Sequence, residues 1–146
     1  MRIRGSSSQI EGAERKLEAL EKFTERLIAG PCGSQIAKII LFGSLAKGEA
    51  RPESDIDVLV FSFDGLEALR DACAEVAFEV AVETGEGIEP LVYPLAEYFS
   101  PRTYFTYRVS RFGKEVFSVT EQELKRREVS AQRGLAEIYL AGAKRA

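Results

Sequence analysis

The chain has no histidine among its 146 residues. That absence excludes Ser-His-Asp and Cys-His nucleophile systems and every metal site built on imidazole. Hydrolytic or transfer chemistry would have to rest on carboxylates and a metal. Cysteine is nearly absent as well. Cys32 and Cys73 lie far apart, lack the paired spacing of a zinc site and are expected as reduced thiols. No apolar run of about 18 residues occurs, so no membrane-spanning helix is expected. The N-terminal Met1-Arg2-Ile3-Arg4-Gly5-Ser6 has no apolar signal region, and a cytoplasmic protein is the expectation. No G-x-G-x-x-G is present. Gly43 and Gly48 have the spacing of a P-loop, but Glu49 stands where that motif needs lysine.

What is present is one domain's worth of apolar residues, 45% of the chain, and a net charge of −3 that is unevenly spread. Residues 30–100 hold 4 basic and 13 acidic side chains, whereas residues 101–146 hold 10 basic and 5 acidic. The basic third suits an acidic partner, yet a solvated helix surface with ion pairs accounts for it more simply. No arginine-aromatic pattern of an RNA module is visible, so direct nucleic-acid binding is not expected.

Periodicity orders the elements. Residues 1–8 are expected as a disordered arm. Ile10, Ala13, Leu17, Leu20, Phe23, Leu27 and Ile28 mark an amphipathic helix over 9–29, stopped by Gly30-Pro31. Strands are expected over 37–42, 56–62 and 87–93. A helix over 65–84 would be capped by Asp64 and carry Leu66, Leu69, Cys73, Val76, Ala77 and Val80 inward. Pro90 suits the third strand to a sheet edge. Two short helices follow, over 94–99 and 101–112. The aromatics of the second, Tyr104, Phe105, Tyr107 and Phe112, are expected in the core. A glycine turn and a short strand over 113–118 come next. Thr120 and Glu123 then form a capping-box pattern for a last helix with Leu124, Ala131, Leu135, Ile138 and Leu140. The expected domain therefore spans 9–118, with a C-terminal helical segment over 119–146.

Ile39 to Ser62 carries the chemistry. An apolar run enters Gly43-Ser44, where glycine permits a tight turn and close ligand approach. Ser44 to Lys47 begin a short helix whose free N–H groups favour phosphate. The second run starts with Asp55 and Asp57, which share a strand face while Ile56 and Val58 point into the core. Paired carboxylates repel unless a cation lies between them, and Mg²⁺ prefers such oxygen ligands.

The pattern Gly43-Ser44-x3-Gly48-x5-Ser54-Asp55-x-Asp57 resembles the signature of the DNA polymerase β-like nucleotidyltransferase superfamily, closest to its small, antitoxin-type minimal members. The resemblance implies an α/β (α+β) nucleotidyltransferase fold, a small mixed β-sheet with helices mainly on one face, plus N- and C-terminal helices. It implies transfer of a nucleoside monophosphate, AMP from ATP, to an acceptor hydroxyl. Asp55 and Asp57 would be catalytic metal ligands in a two-metal Mg²⁺ site, and Glu89 is the matching candidate for the third. The family usually has aspartate there. Gly43, Ser44, Lys47 and Ser54 would hold the nucleoside triphosphate. The implied partner is a HEPN-type toxin protein whose hydroxyl accepts AMP; a homodimer is the other association considered. Two alternatives stay open: a non-catalytic nucleotide- or partner-binding module, and a small-molecule (antibiotic) adenylyltransferase.

Overall fold

The structure is a computed structural model that describes residues 7–127, with side chains from residue 10. A long helix α1 (Ser7–Ala29) leads through a 3₁₀ turn at Gly33–Gln35 into β1 (Ile36–Phe42). A single helical turn, α2 (Gly43–Ala46), and a loop precede β2 (Ile56–Ser62). Then come α3 (Leu66–Thr84), β3 (Ile88–Pro94), α4 (Ala96–Phe99), α5 (Tyr104–Phe112) and β4 (Lys114–Ser118). Residues 121–127 are helical and form α6. The arm expected over 1–8 is already helix from Ser7, and its earlier part lies outside the described residues. So do Ala131, Leu135, Ile138 and Leu140 of the expected last helix. The capping pattern before α6 is realised by the Glu123 amide, which donates to Thr120 Oγ1 at 3.1 Å.

The sheet has the order β3-β2-β1-β4. β1 is antiparallel to both β2 and β4, and β2 runs parallel to β3. The central strands β1 and β2 are near-continuous apolar runs because both of their faces are covered. Alternation divides the core. Ile36, Ile39, Ile56, Val58 and Val60 pack with the inner stripes of α1 and α3. Ile40, Leu59 and Phe61 pack on the other face with Leu95, Val109 and Leu124 from α4, α5, α6 and their flanks. The two long helices thus share one face, and among the described residues α4, α5 and α6 cover the other.

Edge strand β3 tolerates its prolines for a geometric reason. The Ile56 amide donates to Gly87 O and the Leu95 amide to Ser62 O, both at 2.8 Å. Odd-numbered residues therefore turn their backbone groups toward β2. Pro90 and Pro94 fall on the outward side, where a missing N–H costs no ladder bond and discourages another strand from adding.

Three expectations are corrected. Asp64 does not cap α3: Gly65, in the left-handed region, occupies the cap position without a side-chain bond. The Asp64 carbonyl accepts from the Ser62 hydroxyl instead. The aromatics of α5 are not core. Tyr104 is 75% exposed and Phe112 63%, and Tyr107 and Phe105 are also exposed, because Val109 and Thr106 take the inward face. On α1 the buried seam is Ala19, Leu20, Phe23 and Leu27, with Lys16 continuing it, while Leu17 and Ile10 are about half exposed.

Candidate active site

The site lies where β1 ends and where β2 and β3 begin. Antiparallel pairing of β1 with β2 sets Phe42 opposite Asp57. Parallel pairing of β2 with β3 sets Asp57 opposite Glu89. Three consecutive strands thus bring the Gly43 turn, Asp57 and Glu89 to one end of the sheet. Asp55, just ahead of β2, packs its Oδ1 against Gly87, just ahead of β3. A side chain at residue 87 would overlap that oxygen.

Gly43 is required twice over. Its φ of +78° is left-handed, and a Cβ there would overlap Asp57 Oδ2. The turn that starts α2 can therefore lie directly against the carboxylate. Phe42 caps α2 without any side-chain bond, which leaves the Gly43–Ser44 end uncapped by side chains. Gly48, also left-handed, returns the chain after the helical turn.

The electrostatics of Asp57 mark it out. Burial, then the charges of Glu89 and Asp55, raise its carboxyl above the ordinary aspartate value. Among the described residues no lysine or arginine forms an ion pair with any of the three acids. The acids are neighbours without being gathered. Among the described residues no three potential ligands lie close enough to grip one ion as placed. Asp55 and Glu89 are both exposed, whereas Asp57 is half-buried. The donor set is all oxygen, as a hard divalent cation requires, and the missing Gly43 side chain lets Asp57 Oδ2 lie directly against the turn. The residues fit such an ion.

The remaining candidates separate. Lys47 is exposed beyond α2 and lines a cavity of about 210 Å³ with Gly43, Phe42, Phe105, Arg108 and Phe112. Arg108 lies 4.8 Å from the Phe112 ring centre. The Ser54 hydroxyl accepts from the Arg51 amide at 3.0 Å and so closes its own loop. A wider groove of about 700 Å³ runs between α3 and β3 and reaches Glu89 from the side.

Sequence reasoning missed Lys16 and Glu86. Lys16 is 2% exposed; its ammonium donates to Ser54 O at 2.6 Å, Glu86 Oε2 at 2.7 Å and Pro52 O at 3.2 Å. The signal was its place on the α1 seam: Ala13, Lys16, Leu20, Phe23 and Leu27 step by three and four residues.

Residues 17–111 match the family model for the nucleotidyltransferase domain, well over half of the chain. The chain belongs to the nucleotidyltransferase domain family. A protein of Methanocaldococcus jannaschii, provisionally named a protein adenylyltransferase, is 35% identical over 65 residues, 44% of this chain. The match spans 64% of that relative's own length. A provisionally named nucleotidyltransferase of Sulfolobus solfataricus has the same fold, with a TM-score of 0.53 at 19% identity; the match covers 80% of this chain and 93% of that one. A fainter likeness, TM-score 0.43 at 20% identity over 91% of each chain, is to a chain of the complex of a tri-AMPylated HEPN toxin of Shewanella oneidensis with an MNT antitoxin. This nucleotidyltransferase has no helix, among its described residues, that is long and apolar enough to cross a membrane.

Proposed function

We propose that this nucleotidyltransferase moves AMP from ATP to a hydroxyl on a partner protein, with Asp55, Asp57 and Glu89 holding Mg²⁺. The reading is carried by the cross-strand pairing of Asp57 with Glu89 directly against the left-handed Gly43 turn. That arrangement sets acidic oxygens beside a turn able to admit a polyphosphate.

The chain's own groups divide the work. Gly43 and Ser44 receive the phosphates through backbone N–H groups and a hydroxyl, while Lys47, beside the neighbouring cavity, adds positive charge. Asp57, in the most enclosed position of the three acids, fixes the centre of the site; Asp55 and Glu89 close on it from either side. The acceptor hydroxyl releases its proton to solvent as its oxygen attacks the α-phosphorus, the bond from that phosphorus to the oxygen bridging to the β-phosphate breaks, and pyrophosphate leaves. Mg²⁺ would neutralise phosphate charge and lower the pKa of the acceptor hydroxyl. A protein acceptor is supported by the protein adenylyltransferase relative. The antitoxin-type motif points to a HEPN-type toxin as that acceptor.

The test is incubation of the purified protein with each labelled nucleoside triphosphate, Mg²⁺ and a lysate of the native host. A labelled protein band that depends on ATP and Mg²⁺ is expected. Label on a small molecule alone would instead favour the antibiotic-type reaction. Tight ATP binding with no product at all would favour the binding module.

A further inference from the structure

We infer that Lys16 is a positioning residue, which ties together the two chain segments that deliver Asp55 and Glu89 to the site. The inference rests on the proposed reaction for its catalytic consequence, but the tether itself stands on geometry.

An ammonium group has three N–H donors and no acceptor. In Lys16 all three find oxygens, and the partners come from two separate segments. Pro52 O and Ser54 O belong to the loop that leads into β2. Glu86 Oε2 belongs to the turn that leads into β3. Ser54 is followed by Asp55, and Glu86 stands three residues before Glu89. The Ile56 amide donates to Gly87 O at the first rung between the strands, and Asp55 packs on Gly87. One buried cation on α1 therefore braces the loop and the turn from behind the site. Asp55 itself is exposed and in a loop, so its backbone needs an external brace to hold a fixed distance from Glu89.

A hydrophobic pair could replace a buried ion pair with little loss of stability, and this separates a structural role from a positioning one. Four proteins are compared: wild type, Lys16→Met, Lys16→Arg and the double variant Lys16→Met/Glu86→Met. Each is measured for melting temperature, for amide hydrogen exchange at residues 51–56 and 86–89, and for kcat and KM in ATP-dependent labelling. Lys16→Met should speed exchange at both segments and lower kcat by about 10–100-fold, the range seen when supports of metal ligands are removed. KM for ATP should stay close to wild type. Lys16→Arg should recover part of kcat. The double variant should regain the melting temperature while its exchange stays fast and its kcat stays low.

A double variant that regains both stability and kcat would overturn the inference. So would a Lys16→Met protein whose exchange at both segments equals that of wild type. Should the wild type transfer no nucleotide to any acceptor, the reading of the reaction falls. The exchange measurement then upholds or overturns the tether by itself.

Discussion

At Gly43 a backbone requirement and a chemical one coincide. The residue has φ +78°, and its missing side chain leaves the space against which Asp57 Oδ2 rests. Gly43→Ala should destabilise the protein by about 1–3 kcal/mol, the usual cost of a strained non-glycine conformation. It should also cut transfer by about 10²-fold, because displacing Asp57 by an ångström misplaces the reacting groups. Denaturant melts and labelling rates on the same variant check both. Asp57 carries a second residue-scale prediction. Its folded value is raised by burial first, then by Glu89 and Asp55. The folded state therefore holds the proton more tightly than the unfolded chain does. Asp57's favourable contribution is complete below the unfolded aspartate value and is lost as pH rises through the raised folded value. Without divalent cation, Asp57→Asn should be more stable than wild type at neutral pH, and the difference should vanish in acid. Melting temperatures across pH 3–7 in a chelator would show it; equal curves would contradict a raised Asp57 carboxyl. Cys73 gives a contrast: burial, with a smaller contribution from Cys32, pushes its thiol up to about 12, so it is an inert core residue.

Elements were legible where periodicity alone decided them. The β2 run Ile56–Ser62, short, rich in β-branched residues and bounded by polar loops, favoured a strand, and Pro90 correctly marked β3 as an edge. Helices were harder to orient. The α1 sequence offers two overlapping stripes, one through Leu17 and one through Lys16. A charged residue argues for the surface until three oxygens are found for it. The same limit applies to α5. Its aromatics suggest a core, yet Thr106 goes inward because Glu97 and Thr103 satisfy its hydroxyl. Tyr104 and Phe112 are left outside, with Arg108 over both rings. The α1 seam is directly testable. Phe23→Ala should cost about 3–5 kcal/mol, as large aromatic truncations in cores do. Leu17→Ala should change stability by no more than about 0.5 kcal/mol. Urea unfolding of the two variants separates the stripes; equal losses would restore Leu17 to the core.

At the scale of the molecule, strand order does what no local pattern could announce. Asp57 and Glu89 are 32 positions apart, and only the parallel pairing of β2 with β3 makes them neighbours. The motif Gly43-Ser44 to Asp57 was readable because its parts lie within one hairpin-like passage of chain. Glu89 was reachable only through the resemblance to a family, and Lys16 through neither route, since its partners lie 36 to 70 residues away. Family membership is carried by residues 17–111, which include the whole acidic site. The most direct measurement is ATP-dependent labelling of the acceptor protein by wild type, Asp57→Asn and Gly87→Ala in the presence of Mg²⁺. The account predicts labelling by wild type and a loss of about 10²–10³-fold in Asp57→Asn, the scale of removing one charge-stabilising group. Gly87→Ala, which displaces Asp55, should fall between the two. Wild-type labelling by Asp57→Asn would contradict the claim that these acids carry the reaction.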